Sequence, residues 1–438
     1  MSRVNDLTAA LGQHHPEAMR VDEVHAFLSQ LVAPLVLTQS QSIPLREALG
    51  RVLADDIVSP VSVPPHDNSA MDGYAFDGAL LPADAGAALS LPIVGKALAG
   101  SCWRAGDAPA GAVRIMTGAM MPPGLDTVVP QELCVVDGDR VGFPVAALRR
   151  GANRRRAGED LMQGRPALRR GERLSPAALG MVASLGLPMV SALRRLRVAC
   201  FSTGDEILSL GDAPREGAVY DSNRYTLFGV LTQLGCDVVE LGVVRDDPVA
   251  LTDALRRAAM EADVVLTTGG VSAGEADHTR EVMASLGDVV FWGIAMRPGR
   301  PMAVGLLPRN APAPIDHDNA LLFGLPGNPV AAMVTFLAFV RPALLQLMGC
   351  HAIAAAPPPL LRARTLAPIR KKPGRTEYQR GRVHTVHGAL PSVRPAGHQG
   401  SGVLSSMVEA NGLVVLHHAQ GDVAAGDEVD VMLFDGLM

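Results

Sequence analysis

Between residues 198 and 268 the sequence changes period again and again. Apolar runs at 198–202, 238–244 and 264–268 have the length of buried strands, and residues 225–234 and 248–261 between them place apolar side chains at helical spacing. Alternation of this kind restricts the chain to a parallel sheet covered by helices, because parallel neighbours need crossover connections. In such sheets ligands gather beyond the carboxyl ends of the strands. Here those ends carry Ser202-Thr203-Gly204-Asp205-Glu206, Arg245-Asp246-Asp247-Pro248 and the loop from Gly269 to Asp277. Acidic loops converging on one edge predict a cation there, since clustered carboxylates are costly unless a cation or water compensates them.

The Gly269–Asp277 loop has the form of an anion site. Its strand stops at Gly269-Gly270, where glycine lets the backbone approach a phosphate, and a helical pattern starts near His278. Other readings stand beside it. Asp277 is also a good cap for that helix, and Gly270-Val271-Ser272-Ala273-Gly274 fits the G-x-S-x-G pattern of a hydrolase nucleophile elbow. An elbow turns at once into its helix, whereas another glycine and two acids intervene here, which disfavours an esterase. Pro326-Gly327-Asn328-Pro329 marks a second helix start, with Asn328 as cap and Pro329 in the first position. The free N–H groups there suit an oxyanion. The same turn splits the longest uncharged run, residues 319–340, so the run reads as strand, turn and buried helix rather than a membrane span.

With 438 residues, 48% apolar and 19% charged, the chain supports several cores. A net charge of −5 gives no electrostatic case for nucleic acid or an anionic membrane as main partner. Five cysteines without a C-x-x-C pair suit a reducing compartment and argue against zinc or a disulfide frame. Residues 1–20 form neither a signal peptide nor an anchor, and the first few are expected to be loose, which leaves the cytoplasm as the default location.

Residues 21–31 and 45–55 show helical spacing. From about 63 to 145 short apolar runs among Gly and Pro, such as 90–94, 113–116 and 127–130, read as a β-rich module. Nine arginines between 149 and 173 read as a solvated, salt-bridged face, and residues 174–185 return to a helical pattern that can pack with the first. Beyond Pro357-Pro358-Pro359 the runs 413–416 and 428–433 suggest a further β module. The expected architecture is multidomain, α/β plus β. It has a discontinuous helical domain (1–62 and 163–192), an inserted β-rich domain (63–162), a central parallel α/β substrate domain (193–352) and a C-terminal β domain (353–438). His384, His387, His417 and His418 lack zinc spacing, and Trp103 and Trp292 read as packing residues.

Several phrases occur together and in order: Asp67-Asn68-Ser69-Ala70-Met71-Asp72-Gly73-Tyr74-Ala75, Arg114-Ile115-Met116-Thr117-Gly118-Ala119, Gly158-Glu159-Asp160, the 202–206 and 269–277 loops, Gly324-Leu325-Pro326-Gly327-Asn328-Pro329, and Gly397-His398-Gln399-Gly400-Ser401. Their joint occurrence resembles the molybdopterin molybdenumtransferase family of molybdenum cofactor synthesis, to which the E domain of gephyrin also belongs.

That resemblance implies a cytoplasmic enzyme that inserts molybdate into adenylylated molybdopterin and releases AMP with the help of Mg²⁺. It also implies an elongated homodimer with a C-terminal β-barrel, whose site lies between the α/β domain of one subunit and the Asp72 region of the other. Asp72, Glu206, Asp246 and Asp277 are the candidate catalytic acids, and Glu206, Asp246 and Asp277 the candidate metal ligands. Thr117, Ser202, Thr203, Gly204, Gly269, Gly270, Ser272, Arg297, Arg300, Pro326, Gly327, Asn328 and Pro329 are candidate substrate contacts. Other molybdenum cofactor biosynthesis proteins and molybdoenzymes are possible partners. Family members commonly carry lysine where this chain has Gly293, Arg297 and Arg300; arginine keeps the charge and glycine does not. A scaffolding protein on the same fold and a nucleotide pyrophosphatase are the alternatives.

Overall fold

The computed structural model describes residues 3–10, 18–84, 86–103, 111–146, 148–271, 278–309 and 317–438. Its central sheet runs Asp237–Val244, Arg197–Thr203, Val264–Thr268, Asn319–Leu325, Pro301–Pro308, Asp288–Gly293. The first four strands are mutually parallel; Pro301–Pro308 runs antiparallel to them, and Asp288–Gly293, antiparallel to Pro301–Pro308, closes the edge. From Arg197–Thr203 the chain moves outward to Asp237–Val244 and then returns across to Val264–Thr268. The crevice between Arg197–Thr203 and Val264–Thr268 is therefore the topological switch point, where such sheets bind ligands.

The covering helices start where the sequence supplies caps. Asp221 accepts from the Arg224 N–H and opens Ser222–Leu234, which stops at Gly235 in the left-handed region, φ 92°. Asp247 accepts from the N–H groups of Val249 and Ala250, with Pro248 in the first position of Pro248–Glu261. Its carboxylate is thereby taken up by structure. The helix Pro329–Leu347 is long and apolar enough to cross a membrane, but 83% of its apolar window is buried within the protein, so it is a core helix.

Two expectations for the N-terminal part are corrected. Arg3–Ala10 is helical rather than loose: Val4 is fully buried in the main core and its N–H donates to Asp288. Residues 45–55 are not a helix. A 3-10 turn, Leu45–Glu47, is followed by Gly50 at φ 73°, after which Val52 and Leu53 bridge antiparallel to Arg173 and Ala192. Apolar residues at 45, 48, 49, 52 and 53 mimic helical spacing, but the left-handed glycine turns the chain into extended pairing. Val21–Val32 does form a helix and packs on Arg341–Leu347. Pro176–Ser184 packs against the 45–47 turn of the same N-terminal segment, in a small core with Ile43, Leu53 and Val190.

The β-rich module is a sheet ordered Thr127–Pro130, Gly73–Phe76, Ala112–Ile115, Ala88–Ala97, Arg140–Pro144, Val135–Asp137. It joins the rest through paired segments, Ile57–Val58 with Pro166–Leu168 and Asn68–Ser69 with Arg154–Arg155, with a Val63 to Leu161 bridge between them. The arginine-rich stretch beside it is salt-bridged, as in Arg150 with Asp126, Arg154 with Asp67 and Arg169 with Asp56. At the C-terminus Leu361–Thr365, Thr376–His384, Ser392–Pro395, Gly412–Leu416 and Glu428–Leu433 close into a barrel around Val383, Val393, Val414 and Val431. Met296–Arg297, from the central domain, adds a parallel strand to Thr376–Glu377 and ties the two domains together.

Candidate functional site

A cleft of about 1070 Å³ opens between the carboxyl ends of the central strands and one end of the barrel. It gathers Ser202, Thr203, Glu206, Gly269, Gly270, Arg297, Arg300, Pro326, Gly327, Asn328 and Pro329, all named above from sequence. Asp277 and Ser272 lie outside the described residues.

Backbones approach closely at the switch point. A Cβ on Gly269 (φ 92°) would meet the Thr203 carbonyl oxygen at 2.5 Å, and one on Gly270 (φ 65°) would meet the Thr279 side chain. The first requirement locks the 202–204 and 269–270 loops together, and the second seats the start of helix His278–Leu286 behind the turn. Thr279, fully buried there, donates from Oγ1 to Asp246 Oδ1 at 3.4 Å. Asp246 thus sits behind the Gly269-Gly270 turn rather than on the cleft wall. The Glu206 carboxylate folds over Gly204, within 2.8 Å of where a Cβ would be.

Ser202 is buried and its hydroxyl donates to Asp221 Oδ1 at 2.9 Å, while Thr268 Oγ1 lies 2.9 Å from the same hydroxyl. One hydroxyl has one proton, so Thr268 donates to Ser202. Asp221 also pairs with Arg224 at 3.4 Å. This carboxylate, which sequence reading missed, fixes both hydroxyls at the strand ends. Its Asp-Ser-Asn context offers a helix cap as the legible signal. Asn223 donates from Nδ2 to the Gly327 carbonyl at 2.7 Å and holds the Pro326–Pro329 turn against the same helix.

Asn328 occupies the cap position, but its side chain makes no capping bond. The Val330 N–H donates instead to the Ser401 carbonyl of the barrel at 3.0 Å, so the expected side-chain cap is replaced by an inter-domain one. The barrel also contributes Arg375, held by the buried Glu377 at 2.7 Å, which joins Arg297 and Arg300 on the cleft wall. No spacing signal marks Arg375; only barrel closure brings it there. Gly293 ends its strand and accepts from the Met19 N–H, away from the wall.

Asp72 and Thr117 lie on the β-rich module rather than on the cleft wall. Asp72 Oδ1 accepts from the Thr117 N–H and Oγ1, both at 2.7 Å, and these bonds hold its carboxyl below the usual range. Among the described residues no three His, Cys, Asp or Glu side chains gather as a metal cage.

Residues 19–186 match the family model for the MoeA N-terminal region (domain I and II), residues 199–346 that for a probable molybdopterin binding domain, and residues 362–434 that for the MoeA C-terminal region (domain IV). A molybdopterin molybdenumtransferase of Haemophilus influenzae is 39% identical over 411 residues, which is 94% of this chain and 97% of that protein. The chain belongs to the MoeA family. One of the same name from Nostoc sp. is 34% identical, covering 90% of this chain and 88% of the relative. Among solved structures, a molybdopterin biosynthesis MoeA protein from Pyrococcus horikoshii OT3 superposes with TM-score 0.75 at 26% identity, covering 95% of this chain and all of that one. The multidomain MoeA fold, with its α/β domain and closed barrel, is thereby shared.

Proposed function

We propose that this chain is a molybdopterin molybdenumtransferase: it inserts molybdate into adenylylated molybdopterin and releases AMP. The observation that carries this reading is the convergence, in one cleft, of glycine turns at a topological switch point with Arg297, Arg300 and Arg375. Backbone at Gly269 and Gly270, φ 92° and 65°, offers a concave phosphate seat. The three guanidiniums offer charge and planar forks to a tetrahedral dianion. Replacing molybdate oxygens by dithiolene sulfurs needs the two substrates held side by side, and the cleft has room for both.

We assign magnesium to carboxylates: Asp246, whose Oδ1 accepts from Thr279 Oγ1 at 3.4 Å, and Glu206 on the cleft wall, a donor type that suits an ion that keeps waters and takes substrate oxygens for the rest. Asp277, which precedes His278 in the sequence, is the third acid assigned to it. When bound, Mg²⁺ would neutralise the phosphate oxygens from which AMP departs. Asp72, oriented by Thr117, is assigned to the partner subunit's cleft, so the working enzyme is a homodimer with composite sites. The location proposed is the cytoplasm. The test incubates purified protein with adenylylated molybdopterin, molybdate and Mg²⁺ and follows AMP together with reconstitution of a molybdoenzyme. AMP and active cofactor should appear together and require all three; AMP without cofactor would make the protein a pyrophosphatase.

A further inference from the structure

Arg380 is among the largest fully buried side chains of the protein, at 1% exposure. Its Nε donates to Ser406 Oγ at 2.9 Å, and Nη2 donates to the carbonyls of His398 and Gly400 at 3.0 and 2.9 Å. No carboxylate pairs with it among the described residues, and burial, then the like charge of Arg297, push its guanidinium below the ordinary range. A buried guanidinium without an anion is costly.

The consequence lies in the two peptides it grips. A trans peptide points its N–H opposite to its carbonyl. With the His398 and Gly400 carbonyls drawn inward to Arg380, the N–H groups of Gln399 and Ser401 point outward, and both residues line the cleft. Neither N–H has a partner among the described residues. The Gln399 side chain braces the loop, with Oε1 accepting from the Arg380 N–H and Nε2 donating to the Arg380 carbonyl, both at 2.9 Å. On the far side the Ser401 carbonyl receives the Val330 N–H.

We propose that Arg380 is the positioning residue of the cleft's oxyanion subsite: it aims the Gln399 and Ser401 N–H groups at the anion and backs them with an uncompensated positive charge. This rests on the function proposed above. Arg380 touches no substrate. It acts through the loop, and the bound oxyanion supplies the counter-charge that no carboxylate gives Arg380 among the described residues.

The test measures molybdate binding to the full-length chain by equilibrium dialysis, without the pterin substrate, for wild type, R380K, R380M and S406A, with thermal unfolding as the check on folding. Molybdate affinity should fall about tenfold or more in R380M, and less in R380K, which keeps the charge but cannot hold both carbonyls. S406A keeps both carbonyl contacts and should stay within about twofold of wild type. In turnover, half-saturation by molybdate should rise in R380K while that by adenylylated molybdopterin stays put. Folded R380K and R380M with wild-type molybdate affinity would overturn the proposal alone, and so would failure of R380K to fold, which assigns Arg380 to stability. A wild type that binds no molybdate would overturn the proposal and the proposed function together.

Discussion

Gly269→Ala tests the switch point most directly. The residue sits at φ 92°, and its new Cβ would lie 2.5 Å from the Thr203 carbonyl oxygen, a backbone atom that cannot rotate away. Left-handed backbone at a non-glycine costs about 1–2 kcal/mol, and forcing an extra carbon into packed structure costs about 1–3 kcal/mol. The sum is about 2–5 kcal/mol, a large share of the roughly 5–15 kcal/mol that holds a domain together. Gly327→Ala is the control. It lies in the same cleft at ordinary φ, with its nearest neighbour, Gly269 Cα, at 3.7 Å, so its cost should stay within about 0.5 kcal/mol. The assay is urea unfolding in a Trp103→Phe background, followed by Trp292, which is buried in the central core against Phe27. Equal unfolding midpoints for the two variants would refute the close-approach reasoning, because they would show that the 202–204 loop yields freely.

Asp246→Asn and Asp277→Asn should each abolish Mg²⁺-dependent AMP release from a folded dimer; wild-type turnover would remove these acids from the mechanism. Asp72→Ala and Asp277→Ala homodimers should both be inactive, and subunit exchange between them should restore roughly a quarter of wild-type activity, since one of two sites is intact in the half of dimers that are mixed. Verified heterodimers that stay dead would place each site within one chain. Burial lowers the His25 imidazole to about 4. The unfolded chain takes that proton near pH 6.5, so this stability is present above about 6.5 and declines by at most about 3 kcal/mol as pH falls toward 4. His25→Leu should flatten that limb in urea titrations at pH 7, 5.5 and 4.5, and an unchanged limb would assign the acid loss elsewhere.

The α/β domain was legible because its strands and helices carry local signals. Residues 248–261 and 264–268 match the observed elements, since an Asp-Pro start and a Gly-Gly stop mark their ends in the sequence itself. Leu45 to Asp55 was not, because one left-handed glycine outweighed five apolar residues at helical spacing. Cleft walls made by the central strand ends could be named from motifs. Arg375 and Arg380 could not: they face the cleft or its loop only once Met296–Arg297 has paired with the barrel, a contact between segments about 80 residues apart that no periodicity encodes. Val4 is similar, an isolated apolar residue whose burial depends on Asp288 far along the chain.

The narrow paired segments that carry the β-rich module, from Ile57–Val58 with Pro166–Leu168 to Asn68–Ser69 with Arg154–Arg155, have a mechanical meaning. Two strands side by side resist bending less than a packed sheet, so the position of Asp72 beyond the ribbon rests on the ribbon's stiffness. On the composite-site reading proposed above, the stiffness of a ribbon remote from any reacting atom would govern how that carboxylate is presented. Changes at Val63 or Leu161, which bridge its middle, would then alter that presentation without touching either surface the ribbon connects.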